Sequence, residues 1–192
     1  MLYTNGNNQI ILNYLEETIA FNEKDFKKHL LHCDINIQAK DGTTPLMYII
    51  LNNQYKNIFL SKEEIYELCC KANFNIKNEF YVTIMTLLLF NNENQKIGLL
   101  PKDLKFLWEK MNKENQELTF QQCIHSMNGY EENFEKIFDL FFNNFCFIPN
   151  EKIIKKMKRE HISIFYFFEK KNLFLKLNKE LKNEQNVIRE KI

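Results

Sequence analysis

Glycine and proline are scarce in this sequence, and no apolar run is long enough to cross a membrane. Only 4 Gly and 3 Pro occur among 192 residues, which excludes collagen-like and Pro/Gly-rich disordered chains. The glycines share no short motif, so a P-loop or dinucleotide-binding loop is not expected. The most apolar stretches, Val82–Phe90 and Ile162–Phe168, fall well short of the ~20 residues that a transmembrane helix needs. We therefore expect neither a membrane span nor a cofactor.

Cysteine is too sparse and too irregularly spaced to form a disulfide framework. An odd count of 5 is typical of reduced thiols rather than of a stapled secreted domain. Residues 1–10 contain no Lys or Arg and no long apolar run, so a secretory signal peptide is not expected. These features predict a cytoplasmic protein.

Asparagine, lysine and aromatic residues are abundant in the chain. The 26 Asn and 24 Lys are encoded by A/T-rich codons, so their number reflects genome composition and says little about function. Aromatic residues make up 14% of the chain, which indicates a packed core. Charge is uneven, because residues 1–149 carry 14 basic and 19 acidic side chains whereas residues 150–192 carry 12 and 6. The basic end could face an acidic partner or serve only as a solvated surface.

The apolar residues recur at helical spacing through most of the chain. Ile11, Tyr14, Leu15 and Ile19 form one apolar stripe. Two helix starts are also indicated by the sequence. Ser61 has Glu64 three residues later, which is the spacing of a capping box, and Pro101 suits the first turn of a helix. A strongly aromatic stripe follows at Phe134, Ile137, Phe138, Phe141 and Phe142. No alternating segment is long enough to be a core strand, so we predict an all-α fold.

Two segments of the chain repeat with a period of 39 residues. Asp34-Ile-Asn-Ile37 aligns with Asn73-Phe-Asn-Ile76, and Thr44 aligns with Thr83. Each threonine precedes an apolar helical segment. A weaker copy, Leu118-Thr-Phe120, follows 36 residues after the second threonine. The spacing indicates stacked helix-pair repeats, which need at least three units to bury their apolar faces.

The repeated segments resemble the ankyrin-repeat family. The segment Cys33–Leu46 is similar to the family's junction between repeats, with Gly42 in the hairpin turn and Thr-Pro-Leu at the start of a helix. Met47 stands where the family has His. The second copy has Tyr81 in place of the turn glycine and Ile84 in place of the proline.

The resemblance implies a short ankyrin-like solenoid of helix-turn-helix units joined by hairpin loops. We expect units near residues 9–33, 34–72, 73–112 and 113–146, followed by a divergent terminal unit and capping helix at 147–192. The period exceeds the ~33 residues of ankyrin repeats. We place the extra residues between the paired helices, at Gln54–Leu60 and Glu93–Leu100.

The resemblance also implies a non-catalytic protein-binding module or adaptor. Ankyrin-type solenoids bind partner proteins through their hairpin tips and the concave face formed by the first helix of each pair. Phe80 and Tyr81 receive the most weight, because exposed aromatics at a tip favour binding hot spots; the alternative is that both fold back over the adjacent loop. In this chain, the residues that match those tips and helix faces, and that the resemblance implies as partner contacts, are Gln38, Lys40, Asp41, Thr43, Leu51, Asn52, Lys77, Glu79, Phe80, Tyr81, Val82, Phe90 and Asn91.

A genome rich in A/T codons, combined with a solitary, small protein that resembles the ankyrin repeats, suggests a bacterium or virus that lives inside eukaryotic cells, and a host-directed effector. Such agents deploy ankyrin-repeat proteins against host factors. The charged tail Lys179–Ile192 could hold an export signal, and it reads equally well as the end of a helix. We expect another protein as the ligand, rather than nucleic acid or a small-molecule substrate.

Two further hypotheses remain open. The basic cluster Lys152–Arg159 could contact nucleic acid or act in nuclear localisation. Cys123 and His125 could form a convergent nucleophile and base, although a core position explains Cys123 better. His29, His32 and Cys33 lack the second ligand pair that zinc sites require. We expect no enzyme activity and no metal.

Overall fold

Helices make up the regular secondary structure in the computed structural model of the chain, which describes residues 6–92, 95–126 and 136–160. A single isolated antiparallel bridge joins Lys77 to Thr83, and these ranges contain no strand. The predicted all-α class is confirmed. The helices are α1 (Gly6–Leu15), α2 (Glu23–Leu30), α3 (Pro45–Asn52), α4 (Lys62–Lys71), α5 (Ile84–Asn91), α6 (Pro101–Glu109), α7 (Lys113–Ser126), α8 (136–144, ending in the π-helical turn Leu140–Asn144) and α9 (Glu151–Glu160).

Local side-chain caps explain where most of these helices begin. The Thr44 and Thr83 hydroxyls accept backbone N–H groups at the starts of α3 and α5, at 3.3 and 3.2 Å. Ser61 and Glu64 form the predicted capping box of α4. At α6, Pro101 occupies the first turn, as predicted, and the Asp103 carboxylate accepts the backbone N–H of Leu100 at 3.0 Å. Each cap satisfies an N–H group that the helix itself leaves without a partner.

The helices pack in two rows. In one row, α1 contacts α3, α3 contacts α5, and α5 contacts α7. In the other, α4 contacts α6 and α6 contacts α8. Six of the eight residues of α3 are buried, and the helix lies between α1 and α5 in its row. At the C-terminal end the core is aromatic, with Trp108 of α6 stacked on Phe145 at 4.9 Å between ring centroids.

The backbone repeats the 39-residue period in its unusual conformations as well as in its helices. Residues with positive φ occur at matching positions in the hairpin loops and in the connections between paired helices. In both connections an asparagine at the end of the first helix accepts a backbone N–H group seven residues later. The pairs of residues with positive φ are Gly42 and Tyr81, Asn57 and Lys96, and Phe59 and Gly98. The two asparagines that accept these hydrogen bonds are Asn53 and Asn92.

Asparagine side chains join successive units of the chain through backbone hydrogen bonds. In each case a side-chain Oδ1 accepts the N–H group of the residue that begins the corresponding loop of the next unit. Asn36 and Asn75 recur in register in the sequence, and both form this bond, so their spacing has a physical role. The bonds join Asn8 to Asp34 at 2.9 Å, Asn36 to Asn73 at 2.7 Å and Asn75 to Asn112 at 2.8 Å.

Some sequence expectations differ from the structure. Ile19 lies beyond the end of α1 and is exposed rather than part of its buried stripe. Thr119, in the weak third copy of the repeat, lies in the middle of α7 and caps nothing. That helix begins at Lys113, because Asn112 accepts the Asn115 N–H group at 2.9 Å. The predicted extra residues do lie between α3 and α4 and, where described, between α5 and α6. Phe134 lies outside the described residues.

Candidate protein-binding surface

The first hairpin tip, residues 38–43, is built around Asp41 and Gly42. The Asp41 carboxylate accepts the backbone N–H of Thr43 at 2.9 Å and its hydroxyl at 2.7 Å. Gly42 has a φ of +80°, and a Cβ there would lie 2.9 Å from the Cα of Asn78. The Glu79 N–H also donates to the Asp41 carbonyl at 2.8 Å. Glycine is therefore required both by the turn and by close contact with the next tip.

The second hairpin tip, residues 77–82, presents two aromatic side chains to solvent. Phe80 is 68% exposed and Tyr81 is 66% exposed. The Asn78 Oδ1 accepts the N–H groups of Phe80 and Val82, which fixes the loop. Tyr81 has a φ of +60°, the left-handed conformation that Gly42 adopts in the first tip. In the described structure the two rings therefore do not fold back into the protein.

A network of buried threonine hydroxyls and the half-buried Gln122 amide connects the second tip to α7. The Thr83 hydroxyl lies 2.8 Å from that of Thr119, and the Thr86 hydroxyl donates to the Gln122 side chain at 2.8 Å. The Gln122 amide then donates to the Tyr81 carbonyl at 2.9 Å. Since Thr119 lies in mid-helix, its side chain serves this network rather than a cap. Tyr81, the residue in the left-handed conformation, is thus hydrogen-bonded both within its own hairpin tip, to Asn78, and to Gln122 of α7.

All 13 predicted contact residues are at least partly accessible in the structure. Both lysines of this set form ion pairs, Lys40 with Glu16 just after α1 at 3.0 Å and Lys77 with Glu114 of α7 at 2.9 Å. The bond from Lys77 lowers the pKa of Glu114. The exposed members are Gln38, Lys40, Leu51, Glu79, Phe80 and Tyr81, and the half-buried members are Asp41, Thr43, Asn52, Lys77, Val82, Phe90 and Asn91.

A groove of about 470 Å³ adjoins the second tip. We name it the α5–α7–α9 groove, after the helices that line it. Val82 and Phe90, both predicted contact residues, contribute to one wall together with Leu87, while Leu118 and Met157 come from the facing helices. The tip and the groove form one continuous surface, because Val82 belongs to both.

The walls supplied by α7 and α9 were not anticipated from the sequence. The 39-residue alignment ends with α6, and the weak third copy is out of register with the start of α7. Asn112 followed by Asn115 was the available signal, since an asparagine at an N-cap with its partner three residues later marks a helix start. With α7 placed correctly, Leu118 and Gln122 fall one turn apart on a single face.

The cysteine and histidine candidates lie in surroundings unsuited to nucleophilic chemistry or metal binding. Cys123 is fully buried, and burial raises the pKa of its thiol. His125 is two residues further along the same helix, so the two side chains diverge. His29 instead lies 2.7 Å from Asn7 Oδ1. Across residues 6–92, 95–126 and 136–160, no group of three or more His, Cys, Asp or Glu side chains could hold a metal ion.

The described helices include none that is long and apolar enough to cross a membrane. All five cysteines are free thiols. Comparison of the chain with models of known protein families, with curated proteins and with solved structures finds no match.

Proposed function

We propose that the chain is a divergent ankyrin-like stack of helix pairs that acts as a non-catalytic adaptor. It binds a partner protein through its hairpin tips and the face of α3, α5 and α7. A cytoplasmic setting and a role as a host-directed effector complete the proposal, on the strength of the free thiols and the A/T-rich composition. The observation that carries the proposal is the pair of exposed aromatics at the second tip beside an apolar groove.

The repeated local geometry supports the ankyrin-like assignment. The 39-residue period extends to threonine caps, positive-φ positions and inter-unit asparagine bonds. Helices stacked in two rows and joined by hairpin loops agree with the helix-turn-helix units that the resemblance implies.

Exposed aromatic side chains support the binding role. Large apolar side chains that are clustered at the surface mark interaction sites more often than scattered ones do. Aromatic residues also dominate binding hot spots, since they bury a large area with few rotatable bonds. Phe80 and Tyr81 are adjacent in sequence and both are largely exposed. A partner that covers them would remove both rings from water at once.

Selection from a phage-displayed library of random peptides tests the proposal. We expect the immobilised chain to enrich related peptides, and a variant with Phe80→Ser and Tyr81→Ser to lose at least about tenfold in affinity for them, since hot-spot residues contribute ~2 kcal/mol or more each. Tyr55→Ser is the matched control, because Tyr55 is 85% exposed but lies in the α3–α4 connection.

The outcome depends on whether the tip variant and the control differ. Loss of binding in the tip variant alone supports the proposal. Equal binding by both, or no enrichment in a selection that succeeds with an established peptide-binding domain, contradicts it.

Nucleic-acid binding through Lys152–Arg159 remains the alternative function. Five basic side chains lie on α9, but several are paired within the helix, including Lys155 with Glu151 at 2.8 Å and Arg159 with Glu160 at 2.6 Å. These pairs reduce the charge available to phosphates. The alternative predicts binding to a duplex oligonucleotide that weakens steeply with salt and with Lys→Gln changes at positions 152 and 158. Salt-independent or undetectable binding excludes it.

A further inference from the structure

We propose that the α5–α7–α9 groove binds an acidic amphipathic segment of the partner protein, whose apolar side chains enter the groove while its carboxylates face α9. The inference rests on the proposed binding function and specifies the chemistry of the partner.

The inner surface of the groove is suited to apolar side chains. Leu87 and Phe90 of α5 face Leu118 of α7 across it, and all three are only half-buried. Ile153 and Met157 of α9, which also line it, are buried by the described residues. A volume of about 470 Å³ accommodates several apolar side chains. An amphipathic helix presents side chains in this way, one turn apart on a single face.

The side chains around the groove carry a net positive charge, although Lys156 lies 3.9 Å from Glu160 of the same helix. No Asp or Glu among the described residues lines it, whereas Lys156 does. Helix α9, which forms one wall, carries five basic and two acidic side chains in ten residues. A basic partner would place like charges together as it approached, and an acidic one would gain attraction that is strongest at low salt.

Polar groups at the mouth of the groove add hydrogen-bonding capacity. Gln121 and Ser126 of α7 also line the groove, and Ser126 is exposed. Side-chain amides and hydroxyls can donate to carboxylates or to polar backbone groups of a bound segment. The apolar lining, the basic side chains of α9 and these polar groups together match an acidic amphipathic segment better than a purely apolar one.

Fluorescence anisotropy with designed peptides tests the proposal on the full-length chain. The probe is a fluorescein-labelled peptide of about four helical turns, built from Leu and Glu at amphipathic spacing. One comparison peptide replaces every Glu by Lys, and another keeps the composition but spreads the Leu residues around the helix. We expect the amphipathic Leu/Glu peptide to bind at least about tenfold more tightly than either, with affinity that falls as salt rises.

Variants of the chain locate the binding site. Lys156→Glu should weaken the Leu/Glu peptide by about tenfold and improve binding of the Leu/Lys peptide. Lys102→Glu is the matched control, because Lys102 is exposed on α6 and does not line the groove. Phe90→Ala should weaken both peptides, whereas Phe106→Ala, which changes a half-exposed ring on α6, should weaken neither.

Several results would overturn the inference. One is equal affinity for the acidic and basic peptides; another is an equal effect of Lys156→Glu and Lys102→Glu. A dimer in light scattering that Phe90→Ala dissociates would assign the groove to a second copy of the chain. Cross-links from Ser126→Cys to residues 161–192 that the Leu/Glu peptide does not displace would assign it to the chain itself. Phage-selected peptides that need Phe80 and Tyr81 but are not acidic would leave the adaptor function standing and overturn this inference alone.

Discussion

Tyr81 combines two energetic costs at a single residue. A non-glycine residue in the left-handed conformation loses roughly 1–2 kcal/mol relative to glycine, and the equivalent position of the preceding unit is Gly42. Its ring is also largely exposed, so packing within the chain offsets little of that cost. Residues that lower stability without a folded-state benefit are commonly retained for function. Phe59 combines a φ of +43° with 58% exposure in the same way, so the conformation of Tyr81 supports the tip as a binding surface only together with the exposed Phe80 beside it.

Replacement of Tyr81 by glycine should stabilise the protein. We expect Tyr81→Gly to raise the free energy of unfolding by about 1 kcal/mol, because glycine adopts a φ near +60° without steric conflict. Tyr81→Ala is the matched control, since it removes the same ring but keeps the Cβ. Urea denaturation monitored by circular dichroism measures both. Equal stability of the two variants would show that the backbone conformation carries no strain.

At the level of helices, Lys110 joins two neighbouring units by closing the end of α4. Its ammonium group donates to the carbonyls of Cys69, Cys70 and Ala72, at 3.1, 2.6 and 3.4 Å. The Cys69 carbonyl also accepts the Ala72 N–H at 3.3 Å, but carbonyls in the last turn of a helix generally lack intrahelical partners, and a positive charge there complements the helix dipole. A single side chain from the α6–α7 connection therefore stabilises an element of the preceding unit.

Removal of this charge should lower stability more than removal of its counterpart one period earlier. We expect Lys110→Met to reduce the free energy of unfolding by about 1–2 kcal/mol, because it leaves carbonyls without their charged donor. Lys71→Met should change it by less than about 0.5 kcal/mol, because Lys71 is exposed and pairs only with Glu67 along α4. Urea denaturation of both variants checks the difference, and similar losses would contradict the capping role.

The hydrogen bonds that asparagine side chains form between units should contribute measurably to the free energy of unfolding. Asn75→Ala removes the acceptor of the Asn112 N–H group and the donor to the Lys110 carbonyl. We expect a loss of about 1–2 kcal/mol, with α7 exchanging its amide protons faster in hydrogen-exchange measurements. Gln9→Ala, an exposed amide that contacts only Asn13 within α1, serves as the control. Unchanged exchange in α7 would show that the bond does not couple the units.

Sequence patterns predicted the elements whose signals are local. The caps at Thr44, Ser61 and Thr83 lie within three residues of the groups they bind, so the sequence contains both partners. The groove could not be predicted in this way. Its walls come from α5, α7 and α9, and the face that each helix presents is decided by packing between units. The exposure of Phe80 and Tyr81 was left open for the same reason.

At the scale of the whole molecule, buried ionisable groups make the core sensitive to alkali. Burial raises the pKa of the Cys69 thiol from 9.0 to about 12 and that of Cys33 from 9.0 to about 11, and it raises the pKa of Cys123 as well. Burial, together with the hydrogen bond to Asp25, raises the pKa of Tyr14 from 10.0 to about 12. These groups lie on or beside α1, α2, α4 and α7, so their titration affects both rows of helices.

The free energy of unfolding should therefore fall as the pH rises above about 9. Since the folded-state pKa values are raised, the unfolded chain releases these protons first. The stabilisation is complete below pH 9.0 and is lost through the window that ends near pH 12. Cys69 alone would account for roughly 2–3 kcal/mol at pH 11. Urea denaturation from pH 8 to pH 11 should show a steeper decline for the original chain than for Cys69→Ala, which lacks the thiol. Parallel declines would mean that Cys69 ionises equally readily in both states, and that α4 does not shield it from water.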